Sequence, residues 1–160
     1  MNNQINKKFL FSILIFILFT LFFAFIIEYG LGHKPCNLCL YERIPYFLSV
    51  LLIAKLFLTK GLEKITLLIL SIVFIVSFVL AFYHLGIEEG FFKESFVCSD
   101  NTLSKALTKE EVLKQLKQNT ISCKEVNFTI FGFSLAAINT IFSIALSVIF
   151  ARLFINYGKN

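Results

Sequence analysis

The stretch FLFSILIFILFTLFFAFII, Phe9 to Ile27, runs for 19 residues without a charge. A helix needs about 20 mainly apolar residues to cross a bilayer's hydrocarbon layer, so this run reads as a membrane span. A secretory signal has a shorter apolar part, about 7 to 15 residues, that ends in a small-residue cleavage site. No such site stands near Glu28 to Gly32, and the helix is expected to be retained.

The rest of the chain has the same character. Of its 160 residues 58% are hydrophobic, 21 are Phe, and the mean hydropathy is +0.81, far above an ordinary soluble domain of this length. The net charge of +5 would suit a nucleic-acid partner. However, the aromatics sit inside the apolar runs and do not interleave with a basic stripe, which argues against that partner. Lysine and arginine are expected instead to orient helices across a membrane.

Outward from the first span, three more follow. The boundaries read from the sequence are about 9–28, 44–59, 65–84 and 128–155, in one membrane domain covering 1–160. Pro45 is tolerable only in a first helical turn, where its missing N–H would have no partner, and that places the second start near Arg43. Lys55 must then lie near the far end and snorkel. A loop spans about 29–43, a brief linker surrounds Gly61, and a long polar loop spans about 86–127. Within the long loop, Thr108 and Glu111 have capping-box spacing, and Val112, Leu113 and Leu116 give a short amphipathic helix at about 109–118. In the last span Gly132, Ser134, Ala136 and Ala137 allow close helix packing, with Asn139 as an interhelical hydrogen-bonding group. The fold class is thus an all-α integral membrane protein, a bundle of four transmembrane helices.

Four spans put both termini on one side and all four cysteines on the other. Lys7 and Lys8 precede the first helix and only Lys34 soon follows it, which favours a cytoplasmic N-terminus. Disulfides persist outside the cytosol, so an even set of cysteines points to the same orientation. The short first loop and the long second loop would then be periplasmic.

The first loop carries KPCNLCLYER, Lys34 to Arg43, with Cys36 and Cys39 in CxxC spacing. Such a pair can close a small disulfide ring, and a nearby positive charge makes the released thiolate a better-populated nucleophile. Arg43, four residues after Cys39, would face it if the helix has begun there, and with the helix dipole would favour a thiolate at Cys39. A CxxC equally suits half a zinc site or a static disulfide. Cys98 and Cys123 bracket the loop helix, and a bridge between them would be worth about 3.5 kcal/mol by loop closure alone.

Together these pieces resemble the DsbB family of bacterial inner-membrane disulfide-forming proteins. PCNLCLYER looks like that family's quinone-side motif, YHLGIE like the end of its third helix, Cys98 and Cys123 like its second pair, and GFSLAAIN like the start of its last helix. Three departures stand out: no proline precedes the first loop cysteine, Lys124 follows Cys123 where an acidic residue is common, and Phe128 stands where Trp is common. The resemblance implies four catalytic cysteines. Electrons would pass from a reduced periplasmic DsbA-like, thioredoxin-fold partner to Cys98/Cys123, on to Cys36/Cys39, and then to a membrane quinone, ubiquinone or menaquinone. Arg43 and His84 would bind that quinone, and no metal is expected. For His84 a plain interfacial role is the alternative. Vitamin K epoxide reductase homologues also combine four helices, a CxxC and loop cysteines, but there the CxxC follows the loop pair. A metal-binding membrane module with four thiolate ligands is the non-enzymatic alternative.

Overall fold

The computed structural model describes residues 7–59, 61–93, 98, 122–124, 128–130 and 132–157. The helix expected at 109–118 lies outside the described residues. Four helices dominate: α1 (Lys7–Phe25), extended by a π turn (Ile26–Gly30), α2 (Asn37–Leu58), α3 (Glu63–Glu88) and α4 (Leu135–Asn156). Each of the four, with α1 taken through Gly30, is long and apolar enough to cross a membrane.

Three helices depart from the expected ends for local reasons. The second helix begins at Asn37, seven residues before the expected start at 44, because Cys36 serves as its N-cap: the Cys36 sulfur accepts from the Cys39 N–H at 3.2 Å. Pro45 therefore lies inside the helix and leaves the Tyr41 carbonyl without its usual N–H donor. The third helix continues past 84 to Glu88, which places His84 and Glu88 one turn apart on the same face. The fourth begins at 135, not 128. Before it, Thr129–Ile130 (β1) and Phe133–Ser134 (β2) pair antiparallel, with Gly132 at φ 85° in the turn, a backbone state that cannot continue a helix. Ser134 then caps α4 by accepting from the Ala137 N–H at 3.2 Å.

One core fills the bundle. Leu10, Ile13, Ile17 and Leu21 of α1 recur at helical spacing and pack with Tyr46, Ile53, Phe74, Leu146 and Phe150. The α3 and α4 helices pack most closely. Between them Ser77 and Ser143 share a hydrogen bond of 2.9 Å, and Ser71 and Ser147 each donate to the other's carbonyl. Small hydroxyl residues let these backbones approach, and packing rather than water exclusion holds helices together in lipid. The remaining apolar side chains face outward, among them Phe11, Phe19, Phe22, Leu51, Ile72 and Val79, a surface suited to lipid and hazardous in water. Lys55 is exposed in the last turn of α2, where its ammonium can reach the interface.

Up-and-down connection gathers the end of α1, the start of α2, the end of α3 and the start of α4 at one end of the bundle. At the opposite end the Tyr157 hydroxyl donates to Glu63 and ties α4 to α3. Past Glu88 the chain folds back. The Phe92 N–H donates to the Gly86 carbonyl at 2.9 Å, and a Cβ on Gly86 would sit 2.1 Å from the Phe92 ring. Only glycine admits that ring, which stacks on Tyr83 and starts the long loop directly over the end of α3.

Candidate functional site

At this gathered end a cleft of 80 Å³ opens, several times the roughly 10–15 Å³ that one water needs. Its wall includes Ala24, Ile27, Phe128 and Leu135 on the apolar side, with Cys36, Cys39, Arg43, His84 and Glu88 as the reactive side chains. Four of the six residues singled out from the sequence thus line one space. The other two, Cys98 and Cys123, form a disulfide whose sulfurs pack in one buried cluster with Cys36, Leu38 and Ile87, and Cys39 and Tyr83 lie against it. The pairs are neighbours. Four-thiolate metal ligation is not the arrangement formed, since two of those sulfurs are bonded to each other.

The helix cap sets the geometry of the CxxC. With Cys36 at the cap and Cys39 in the first turn, the two thiol sulfurs lie 2.8 Å apart, and the Cys39 N–H points at Cys36. On the other side of Cys36 stands His84, its Nε2 at 3.6 Å. The hydrogen bond from the Cys39 thiol does most to draw the Cys36 thiol down from 9.0 to about 4; burial opposes it, and the His84 ring reinforces it by hydrogen bonding and charge. The thiolate expected at Cys39 is therefore favoured at Cys36.

His84 is held in place by a residue that the sequence reading did not single out. Its Nδ1–H donates to Glu42 Oε1 at 2.7 Å, and Glu42 Oε2 accepts from the Asn139 amide at 2.6 Å. The Asn139 carbonyl in turn accepts from the Tyr46 hydroxyl. Asn139 thus makes the interhelical contact expected of it, and the contact reaches the site. This chain fixes the imidazole so that Nε2 points at the sulfur, the way an orienting carboxylate sets a histidine tautomer. A signal for Glu42 was present: an acidic residue inside a membrane span is costly unless it is used.

Arg43 lies on the cleft wall, and its guanidinium pairs with Glu28 of the π turn and sits 5.2 Å from the centre of the Phe25 ring. It thereby joins α2 to α1. Glu28 and Glu88 are the other site residues that sequence reasoning passed over. Glu88 Oε1 lies 3.7 Å from His84 Nε2.

A planar, lipid-soluble ring suits this cleft on the chemistry of its walls. Apolar side chains would flank the ring faces, His84 and Arg43 offer N–H groups to ring oxygens, and Glu88 carries a buried oxygen, Oε2, with no partner among the described residues.

Comparison with known proteins agrees. The family model described as "Disulfide bond formation protein DsbB" matches residues 6–153, nearly the whole chain. The uncharacterized protein RP370 of Rickettsia prowazekii (strain Madrid E) is 31% identical over 139 residues, covering 86% of this chain and 80% of its own length. No solved structure matches the chain. With four membrane-capable helices, a capped CxxC and a second cysteine pair packed against it, the chain belongs to the DsbB family, as a multi-pass inner-membrane thiol oxidoreductase of disulfide bond formation.

Proposed function

We propose that this protein reoxidises a DsbA-like periplasmic thioredoxin-fold dithiol and delivers the electrons to a membrane quinone, ubiquinone or menaquinone. The observation that carries the reading is the packing of both cysteine pairs in one buried cluster beside a cleft that opens among apolar walls. A strongly oxidising partner can be recharged only by a better electron acceptor, and the bilayer supplies one beside Cys39. When bound, a quinone supplies the final sink, taking two electrons and two protons.

The thiol exchanges balance along the chain's own sulfurs. A partner thiolate attacks Cys98, breaks the Cys98–Cys123 bond and frees Cys123. Attack by the partner's second thiol on the mixed disulfide releases the partner oxidised and leaves Cys98 and Cys123 reduced. Cys123 attacks Cys36 of the Cys36–Cys39 disulfide and frees Cys39. Cys98 then closes on Cys123, and Cys36 departs as a thiolate. Its lowered pKa makes Cys36 a good leaving group in that closing step. The result is the arrangement described above, with Cys98–Cys123 bonded and Cys36 and Cys39 free. Arg43 would hold a ring oxygen at the cleft wall, and His84 would take the thiol proton at Nε2.

The test is oxidation of a purified, reduced thioredoxin-fold partner by the purified protein with a soluble quinone analogue. We expect one quinone consumed per partner disulfide formed. No quinone-dependent turnover by protein with all four cysteines intact, or stoichiometric zinc in its place, overturns the reading. The proposed orientation has the cysteines periplasmic and both termini cytoplasmic. Alkaline phosphatase fused after Lys105 should be active and after Gly61 silent, and the reverse pattern refutes that orientation.

A further inference from the structure

Oxidation of Cys36 and Cys39 releases two protons with the two electrons, and the titratable side chains around the cleft are the groups at hand to carry them. Among the described residues Glu28, Glu42 and Glu88 are the carboxylates set around the CxxC and its cleft, and two of them are committed. Glu42 has one oxygen on His84 and the other on Asn139, and Glu28 pairs with Arg43. Glu88 differs. Its side chain is 8% exposed, Oε1 lies 3.7 Å from His84 Nε2, and Oε2 is the one buried side-chain oxygen or nitrogen among the described residues with no hydrogen-bond partner.

Such an atom needs a reason, because a buried polar group left unsatisfied destabilises the fold. Helix stability does not supply one. Glu88 is the last residue of α3, where a carboxylate opposes the negative end of the helix dipole. Its setting points to proton handling. From α3 it meets His84, from the α4 cap Ser134, and from α2 the charge of Glu42; Cys36, Cys39 and Arg43 of α2, Glu28 of the π turn, and His33 and Lys34 of the loop share the same cleft.

We propose that Glu88 is the proton-transferring carboxyl of this cleft, moving a proton from the Cys36–His84 pair to an oxygen of the electron acceptor. The inference rests on the quinone reading above. In balance, the Cys39 S–H bond and the His84 Nε2–H bond that accompanies the Cys36 thiolate break, and the S–S bond forms. Two electrons leave to the quinone, and two protons end on its oxygens. Glu88 takes one of those protons from His84 Nε2–H, gives it up from Oε2, and ends unchanged. Glu42 serves a different purpose as the positioning residue that holds the imidazole in line.

Two measurements test this. In quinone-free protein, the reduced-minus-oxidised infrared difference spectrum should show a carboxyl C=O band that disappears in Glu88→Gln; should that variant fail to insert, Glu88→Asp should shift the band. In turnover, Glu88→Gln keeps the shape and cannot carry a proton, so kcat should fall about 100-fold, with KM for quinone changed less than about threefold and partial recovery in Glu88→Asp. A wild-type spectrum without a carboxyl band, or a Glu88→Gln variant with wild-type kcat, overturns the proposal. If wild-type protein shows the band and reduces no quinone, the function proposed above falls, while proton exchange between Glu88 and the CxxC stands.

Discussion

The two cysteine pairs share one buried cluster and are held in opposite ways. Cys98 and Cys123, 7% and 1% exposed, are bonded to each other and pack against Leu38 and Ile87. Cys36 and Cys39 sit at a helix start with an N–H, an imidazole and a second thiol directed at one sulfur. Placement on a helix cap, and not the thiol itself, makes one pair electronically poised. The other is poised by position, as the pair placed to exchange with it.

The largest expected effect separates the sulfurs of the second pair. If Cys98 is the attacked atom, Cys123→Ser should leave a partner lacking its resolving cysteine trapped as a mixed disulfide at Cys98, with net turnover abolished. Mass mapping of the trapped complex decides it. A mixed disulfide at Cys36 with Cys98 bypassed would reverse the assigned roles.

A smaller effect concerns the poise of Cys36. The thiol is lowered in the folded protein, so its thiolate is present from about pH 4 upward, whereas an ordinary thiol ionises near 9.0. At pH 5 the thiolate advantage is about 10⁴-fold, and lower intrinsic nucleophilicity removes about 10², leaving iodoacetamide alkylation about 100-fold faster than at an ordinary thiol of the same access. The rate should rise through pH 4 and then stay flat, and His84→Ala should move the midpoint upward. By linkage the reduced fold gains stability as pH rises from about 4 to 9.0, keeps it above 9.0, and loses it below 4. An alkylation rate that climbs steadily to pH 9 would make the two pairs electronically alike.

The smallest effect belongs to Arg43. Glu28 already takes part of its guanidinium, so Arg43→Ala should raise the KM for quinone roughly tenfold, the lower end expected for one charge-assisted hydrogen bond. Arg43→Lys should keep insertion and both pairs intact with a smaller rise, since lysine lacks the planar fork. Wild-type KM in correctly inserted Arg43→Ala would reduce Arg43 to a tie between α2 and α1.

Much of this was legible in the chain. Unbroken apolar runs have few alternatives to a spanning helix, so the four-helix architecture followed from Phe9–Ile27 and its counterparts. Which face of α1 turns inward was not legible, because nearly every residue there is apolar and the stripe from Leu10 to Leu21 has no polar contrast to mark it. The second helix was read as starting late because Pro45 is a strong local signal, and a cysteine cap is a weak one. At the site, Cys36, Cys39 and Arg43 stood out by residue type and spacing, and His84 came with the family resemblance. Glu42 and Glu88 were not, because their meaning depends on partners 42 residues away in sequence or on the lack of a partner altogether.

The π turn at Ile26–Gly30 has a further consequence. It closes with the Leu31 N–H on the Ile26 carbonyl, five residues back, and so holds one residue more than an α turn would. Removing one residue there would restore ordinary winding and swing Glu28 about 100° around the axis, away from Arg43. The first span is therefore keyed by rotation. A bilayer would let a plain apolar helix slide or turn at little cost, and this one is locked at the single azimuth where its carboxylate meets α2.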